Sequence, residues 1–280
     1  MKEIHLTRRG FSKAALAGLM AAGAPALTAK PRKIGLALQL YSVRDDCKRD
    51  LPGTIAAVGR IGYEAVEFAG YYDRTAQELR QMLDDAGLKC CGTHISLETL
   101  QGDNFMKTVK FNKELGNRNL IVPALDEARY ATKQAWIDTA ALFNDLSSKA
   151  REHGMRVGYH NHMFEFQKFD GESLFDIFFT AAKKDVIMQL DIGNAREGGG
   201  DPLALLKRYP GRAISVHMKE YSATDKQALI GEGDQPWKEL IDTCRKIGGT
   251  EWFIVEQEEY KYPPLRCVEI DYKAMRKMGV

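Results

Sequence analysis

The sequence predicts a single α/β domain, a parallel (β/α)8 TIM barrel, behind an N-terminal segment that is not part of the fold. Three observations predict it. From residue 33 onward, short β-rich runs alternate with helix-period segments, and eight such pairs in a chain of 280 residues is the count of a closed parallel barrel. Within the runs, apolar residues occupy one phase of a period of two, while the other phase ends in a polar residue. The first run passes into QLYSVRDD without a glycine, so the glycine-rich turn of an open dinucleotide-binding sheet is missing.

Residues 1–29 read as an export signal with its linker, and 30–280 as the barrel. LTRRGFSKAALAGLMAAGAPALTA has a basic start, a mildly apolar run and small residues at its end. Arg8 and Arg9, with Thr7 before them and Phe11 and Lys13 after, resemble a twin-arginine signal. Such a signal implies export of the folded protein to the periplasm. Ala24-Pro25-Ala26 is the expected cleavage site, with Ala29 as a second position. The run is too short and too rich in alanine and glycine to span a membrane, and it holds no cysteine for a lipid. No membrane anchor is therefore expected once the signal is removed.

The strands are expected at 34–40, 63–68, 88–95, 119–124, 155–162, 185–191, 212–217 and 251–256. The helices are expected near 51–61, 75–86, 103–115, 132–153, 172–183, 202–208, 236–247 and 264–278. In 155–162, Met155, Val157 and Tyr159 face the helices while Gly158, His160 and His162 face inward. In 185–191, Ile187, Gln189 and Asp191 share the inner phase, and in 212–217 Ser215 and His217 do. Ile254 and Glu256 share it in 251–256, Ala65 and Glu67 in 63–68, Gly92 and His94 in 88–95, and Ala37 and Gln39 in 34–40. Gln39, Glu67, His94, His160, His162, Asp191, His217 and Glu256 would thus converge at the C-terminal rim, where barrels of this kind carry their sites.

Composition excludes some functions. The net charge of +2 includes Lys2, Arg8, Arg9 and Lys13 against Glu3, so the chain beyond residue 26 carries −1. A near-neutral body with no basic run does not suit a nucleic-acid partner. The five cysteines, Cys47, Cys90, Cys91, Cys244 and Cys267, match no zinc spacing and read as buried free thiols. Self-association into a homo-oligomer is compatible with the sequence.

Carboxylates and imidazoles without thiolates suit one divalent ion, Mn, Mg, Co or Zn. Asp191, His217 and Glu256 lie on consecutive strands and are the expected ligands. A fourth must come from 158–166 (GYHNHMFEF), where His160, His162 and Glu165 are all candidates.

LQLYSVRDD, GYEAVEFAGYY, GYHNHMFEF, LDIGNA, VHMKEY, IGEGD and VEQEEY resemble, in order, the blocks of the xylose-isomerase-like barrels, also called sugar phosphate isomerases/epimerases. The resemblance spans residues 33 to about 278. It implies one divalent ion, Mn foremost, held by Glu, Asp, His and Glu at the ends of strands five to eight. Asp191, His217 and Glu256 fall on that pattern. His160 stands where the epimerases carry the first Glu, so Glu165 is favoured as the fourth ligand. This departure implies elimination or hydration of a 3-keto-glycoside or similar sugar, as in the inosose dehydratases, with ketose epimerisation as the alternative. His160 or His162 is then the expected base, with Glu256 or Glu165 in that role if the epimerase pattern holds. Lys219 would reach a sugar oxygen as a catalytic or binding group. Gln39, Glu67 and His94 would bind hydroxyls or orient ligands, and Trp237 or Tyr41 would stack on a sugar face or pack in the core or rim. A two-lobed solute-binding protein does not fit the even eight-unit rhythm. An endonuclease on the same barrel needs more ligands and a basic face, and the acids at the strand tips speak against a non-catalytic sugar-binding barrel.

Overall fold

The computed structural model describes residues 33–280, so the expected signal segment and its Arg8–Arg9 pair lie outside the described residues. Eight strands form the barrel: β1 Gly35–Gln39, β2 Ala65–Ala69, β3 Lys89–His94, β4 Asn119–Val122, β5 Arg156–His160, β6 Ile187–Asp191, β7 Ser215–Met218 and β8 Trp252–Val255. Each pairs in parallel with its neighbours in sequence, and β1 pairs with β8 to close the ring. A barrel helix follows each strand: α1 Leu51–Ile61, α2 Ala76–Asp85, α3 Asn104–Leu115, α4 Lys133–Glu152, α5 Leu174–Ala181, α6 Pro202–Arg208, α7 Trp237–Thr243 and α8 Pro264–Lys277. Among the described residues, no helix is long and apolar enough to cross a membrane.

Local chemistry sets the helix ends. The Asp50 side chain accepts from the Gly53 amide at the start of α1, and Gly62, at φ 115°, ends it in a conformation that costs other residues more. Thr75 and Glu78 form a reciprocal capping box on α2. Asp201 accepts from the Leu203 and Ala204 amides to open α6, with Pro202 in the first turn.

The two phases of each strand separate as the period of two requires. Leu36, Leu38, Val66, Phe68, Val157, Tyr159, Met188, Leu190, Val216, Met218, Phe253 and Val255 are all buried against the helix layer. Inside the ring, Ala37, Ala65, Cys91 and Ile254 pack with Trp252. A β-carbon on Gly35 would lie 2.2 Å from the Trp252 ring, so glycine there lets the indole fill the N-terminal end of the barrel.

Several expectations change. Strict alternation from His94 and Gly92 would put Cys91 against the helices. A register shift between Val66 and Glu67 admits one extra residue on β3, and Cys91 joins the inner cluster. The fourth strand stops at Val122, ahead of Pro123. Two short helices, Arg44–Arg49 and Ile192–Glu197, and a ribbon of Lys168–Phe169 with Glu172–Ser173 decorate the loops. All are too short for a periodic signal.

Asp271 on α8 is buried; one oxygen accepts from the Ile230 amide at 2.8 Å and the other has no partner among the described residues. Burial pushes its carboxyl up to about 7. Between about pH 4 and that value the native chain holds a proton that the unfolded chain has released, so stability falls as pH rises through this window. Asp271→Asn keeps the acceptor and removes the ionisation, and should flatten the slope. Urea unfolding at a series of pH values from about 4.5 to 8 checks it; parallel slopes for the two proteins would contradict it.

Candidate metal centre

The inner phase delivers one polar side chain after another to the C-terminal rim. His160 ends β5, Asp191 ends β6, His217 lies on β7, and Glu256 follows β8. These four are buried, and each can offer one ligand atom within 4.8 Å of all the others. Two imidazoles and two carboxylates form a set suited to a divalent transition ion.

Asp191 gives the clearest sign of what this set fits. Its Oδ1 accepts from the Asn194 amide at 2.7 Å, while its Oδ2 is buried without a partner among the described residues. Burial pushes the carboxyl up to about 7, against the pull of Lys219. An orphaned carboxylate oxygen beside two imidazoles and a second carboxylate is a place for a cation.

His217 is held between two acids. Its Nδ1 lies 2.8 Å from Glu256 Oε2 and its Nε2 lies 2.7 Å from Glu67 Oε2. Burial alone would lower the imidazole, but Glu256 and Glu67 outweigh it and hold it up to about 10. Burial likewise opposes ionisation of Glu67, yet His94 and His217 keep its carboxyl well below the usual range. Gln39 steadies Glu67 through Nε2 at 2.9 Å, and a β-carbon on Gly92 would lie 2.3 Å from Glu67 Oε1. The layer beneath the ligands therefore depends on glycine at position 92.

Gln189, two residues before Asp191, fixes two histidine tautomers. Its Nε2 donates to Glu67 Oε1 at 2.8 Å and to Ser215 Oγ at 2.9 Å. A flipped amide would set oxygen against the Glu67 carboxylate, so Oε1 must face the other way. There it lies 2.7 Å from His94 Nε2 and 3.1 Å from His160 Nδ1. Both nitrogens must donate. His94 keeps its lone pair on Nδ1, and His160 keeps its own on Nε2, free for the ligand cluster. Burial first, then His217 and His94, keep the His160 imidazole well below its ordinary range, which preserves that lone pair. Long-range ¹H–¹⁵N spectra should show the Nε2–H form for His94 and the Nδ1–H form for His160. Gln189→Leu should scramble both and weaken metal binding roughly 10- to 100-fold. The opposite tautomers in the wild type would refute this.

The expected site residues separate into three groups. His160, Asp191, His217 and Glu256 come together. His94 and His162 line a cleft of about 590 Å³ above them, with Tyr41, Ile95, Pro123 and Glu258. Lys219 stands at the edge, bonded to Asn194 Oδ1 at 3.0 Å and Glu258 Oε2 at 2.7 Å, beside a second cavity of about 460 Å³ that shares Glu258.

Other residues lie elsewhere. Glu165, expected as the fourth ligand, turns away from the cluster. Its Oε1 accepts from the Tyr159 hydroxyl at 2.6 Å and its Oε2 from the His162 amide at 2.8 Å. A single 3-10 turn, Phe164–Phe166, swings it behind β5 onto the helix-facing side. Burial pushes its carboxyl up to about 7. Gln39 and Glu67, expected to bind hydroxyls or orient ligands, have no exposed surface; they lie under the cluster, where Glu67 meets His217 and Gln39 holds Glu67. Trp237, open in the sequence to sugar stacking or core packing, takes the core place: it is buried at the start of α7 and donates to Glu220 Oε2 at 2.8 Å. Sequence reasoning put Gln189 on the inner phase without giving it a role. It also missed Asn161, whose Oδ1 accepts from the Asp191 amide at 3.0 Å; its signal was its place between His160 and His162.

The family model for the xylose isomerase-like TIM barrel matches residues 55–278. An inosose dehydratase of Lacticaseibacillus casei is 25% identical over 236 residues, covering 71% of this chain and 78% of that protein. A sugar phosphate isomerase/epimerase structure from Parabacteroides distasonis superposes with a TM-score of 0.74 at 23% identity, covering 91% of this chain and 97% of that one. The structure of IOLI protein with a binding zinc atom superposes with a TM-score of 0.63 at 15% identity, covering 88% and 97%.

Proposed function

We propose that this chain, which belongs to the xylose isomerase-like TIM barrel family, is a divalent-metal-dependent enzyme that eliminates from, or hydrates, an unphosphorylated keto-sugar. The observation that carries the reading is the buried His160–Asp191–His217–Glu256 set with its orphaned Asp191 oxygen, opening into a cleft walled by His94 and His162. Manganese, cobalt or zinc suits two imidazoles and two carboxylates better than magnesium. When bound, such an ion supplies Lewis-acid polarisation of a carbonyl and its neighbouring hydroxyl.

The chain's own residues do the rest. His94, with its Nδ1 lone pair, and His162 are the bases on the cleft wall, and one of them takes the proton from the carbon beside the ketone. The electron pair left behind forms the new double bond as the β-oxygen leaves, and that oxygen takes up a proton. Water adding in the reverse sense gives hydration. Lys219, bonded to Asn194 and Glu258, orients a sugar oxygen at the rim. Among the described residues lining the two cavities there is no arginine, and carboxylates outnumber lysines, which disfavours a phosphorylated substrate.

Elimination is favoured over epimerisation because β5 ends in His160, not in a carboxylate. Strand β5 therefore supplies no carboxylate to pair with Glu256. The similarity to inosose dehydratases agrees with this reading. The test is manganese-loaded protein in deuterium oxide with a 3-keto-glucoside, an inosose and free ketoses, followed by NMR. Deuterium next to the ketone with loss or uptake of a β-substituent is expected. Clean epimerisation of the ketoses alone would replace the proposal with its alternative.

A further inference from the structure

A separate cavity of about 370 Å³ opens at the opposite, N-terminal pole of the barrel, between the starts of β5 and β6 and the end of α4. Its walls carry Arg118, Arg151, Arg156, Lys184 and Arg212 against one lining acid, Asp185. Outside the lining, Glu251 is shared: Arg118 and Arg156 bond the same Oε2, at 2.9 and 2.8 Å. Arg151 holds Asp185 at 3.1 Å. The cations therefore outnumber the carboxylates that serve them.

Arg212 makes the imbalance physical. It is only 5% exposed, and its guanidinium meets carbonyls of Phe179, Lys183 and Val186 rather than an acid. Its Nε is buried without a partner among the described residues. Burial pushes the group down to about 10, against the smaller pulls of Tyr209 and Asp185. A buried charge is costly unless paired, and carbonyl dipoles do not supply the missing charge. Arginine forks match the oxygens of phosphate.

We infer that this cavity is a binding site for a phosphate-type dianion, remote from the catalytic cleft and independent of the reaction proposed above. Its volume leaves room for a small carbon skeleton on the phosphate, so inorganic phosphate and a short phosphomonoester are both candidate sources.

Thermal unfolding of the metal-loaded protein at constant ionic strength tests it, with chloride, inorganic phosphate and glycerol phosphate in turn. A saturable rise in Tm with phosphate and none with chloride is expected. Lys184→Glu and Arg118→Gln should each weaken the apparent affinity roughly tenfold. Both side chains are largely solvent-facing, so the variants should fold, and each is read as a shift against its own baseline. Phosphate at the metal cluster instead would leave the shift intact in both variants, and that result overturns the inference, as does an equal shift with chloride. Tighter binding of glycerol phosphate assigns the site to an ester; equal binding assigns it to free phosphate.

Discussion

Asp191→Ala should strip the ion from the protein and abolish turnover. Asp191 brings the orphaned oxygen, and of the two carboxylates in the cluster it is the one that no imidazole among the described residues bonds. Metal affinity should fall by more than about 100-fold, beyond the usual effect of an outer-shell change. One complication has a structural origin. The Asp191 side chain also caps the helix Ile192–Glu197 through the Asn194 amide, and loss of a cap costs about 1 kcal/mol. Asp191→Asn keeps an oxygen for the cap and removes the charge, so it separates the two effects. Both variants should lose the metal, measured by elemental analysis, while only the alanine form should lose stability as well. A chelator-stripped protein that stays metal-free and fully active would sink the proposal.

The fold was legible because a barrel repeats one physical rule eight times. Each strand alternates between a helix-facing apolar residue and an inward one, so phase alone placed Gln39, Glu67, His94, His160, Asp191, His217 and Glu256 on the inner surface. Phase could not say how deep each residue sits. Glu67 and Gln39 lie a layer below the ligands, and the β3 bulge that brings Cys91 inward leaves no period-two trace. Loop residues were less legible still. The direction of Glu165 is set by one 3-10 turn and by the Tyr159 hydroxyl, a tertiary partner six positions earlier on the opposite phase. Trp237 stayed open between rim and core because its partner, Glu220, belongs to another loop. Gln189 lay in plain view on the inner phase. Its importance comes from four neighbours on four other strands, and no local pattern records that.

The cluster takes in His160 and leaves out Glu165, the reverse of what the family resemblance implies for the fourth ligand, and a paired substitution decides between them. His160→Gln should lower metal affinity roughly 100-fold, because the Nε2 lone pair that Gln189 aims at the cluster is lost. Glu165→Gln should leave the ion bound. Its carboxylate accepts two hydrogen bonds, from the Tyr159 hydroxyl and the His162 amide, and a glutamine can accept at only one of those positions. The other donor is left buried and unserved, which costs about 1–3 kcal/mol of stability. The expected pattern is thus crossed: metal loss with little change in Tm for the chelator-stripped His160 variant, and a lower Tm with metal retained for the Glu165 variant. Turnover distinguishes them further. The His160 form should recover activity in excess manganese, because His94 and His162 remain on the cleft wall as bases. Metal loss in Glu165→Gln, with His160→Gln still loaded, would mean that the 161–166 loop turns inward when the ion binds, and would return Glu165 to the ligand set.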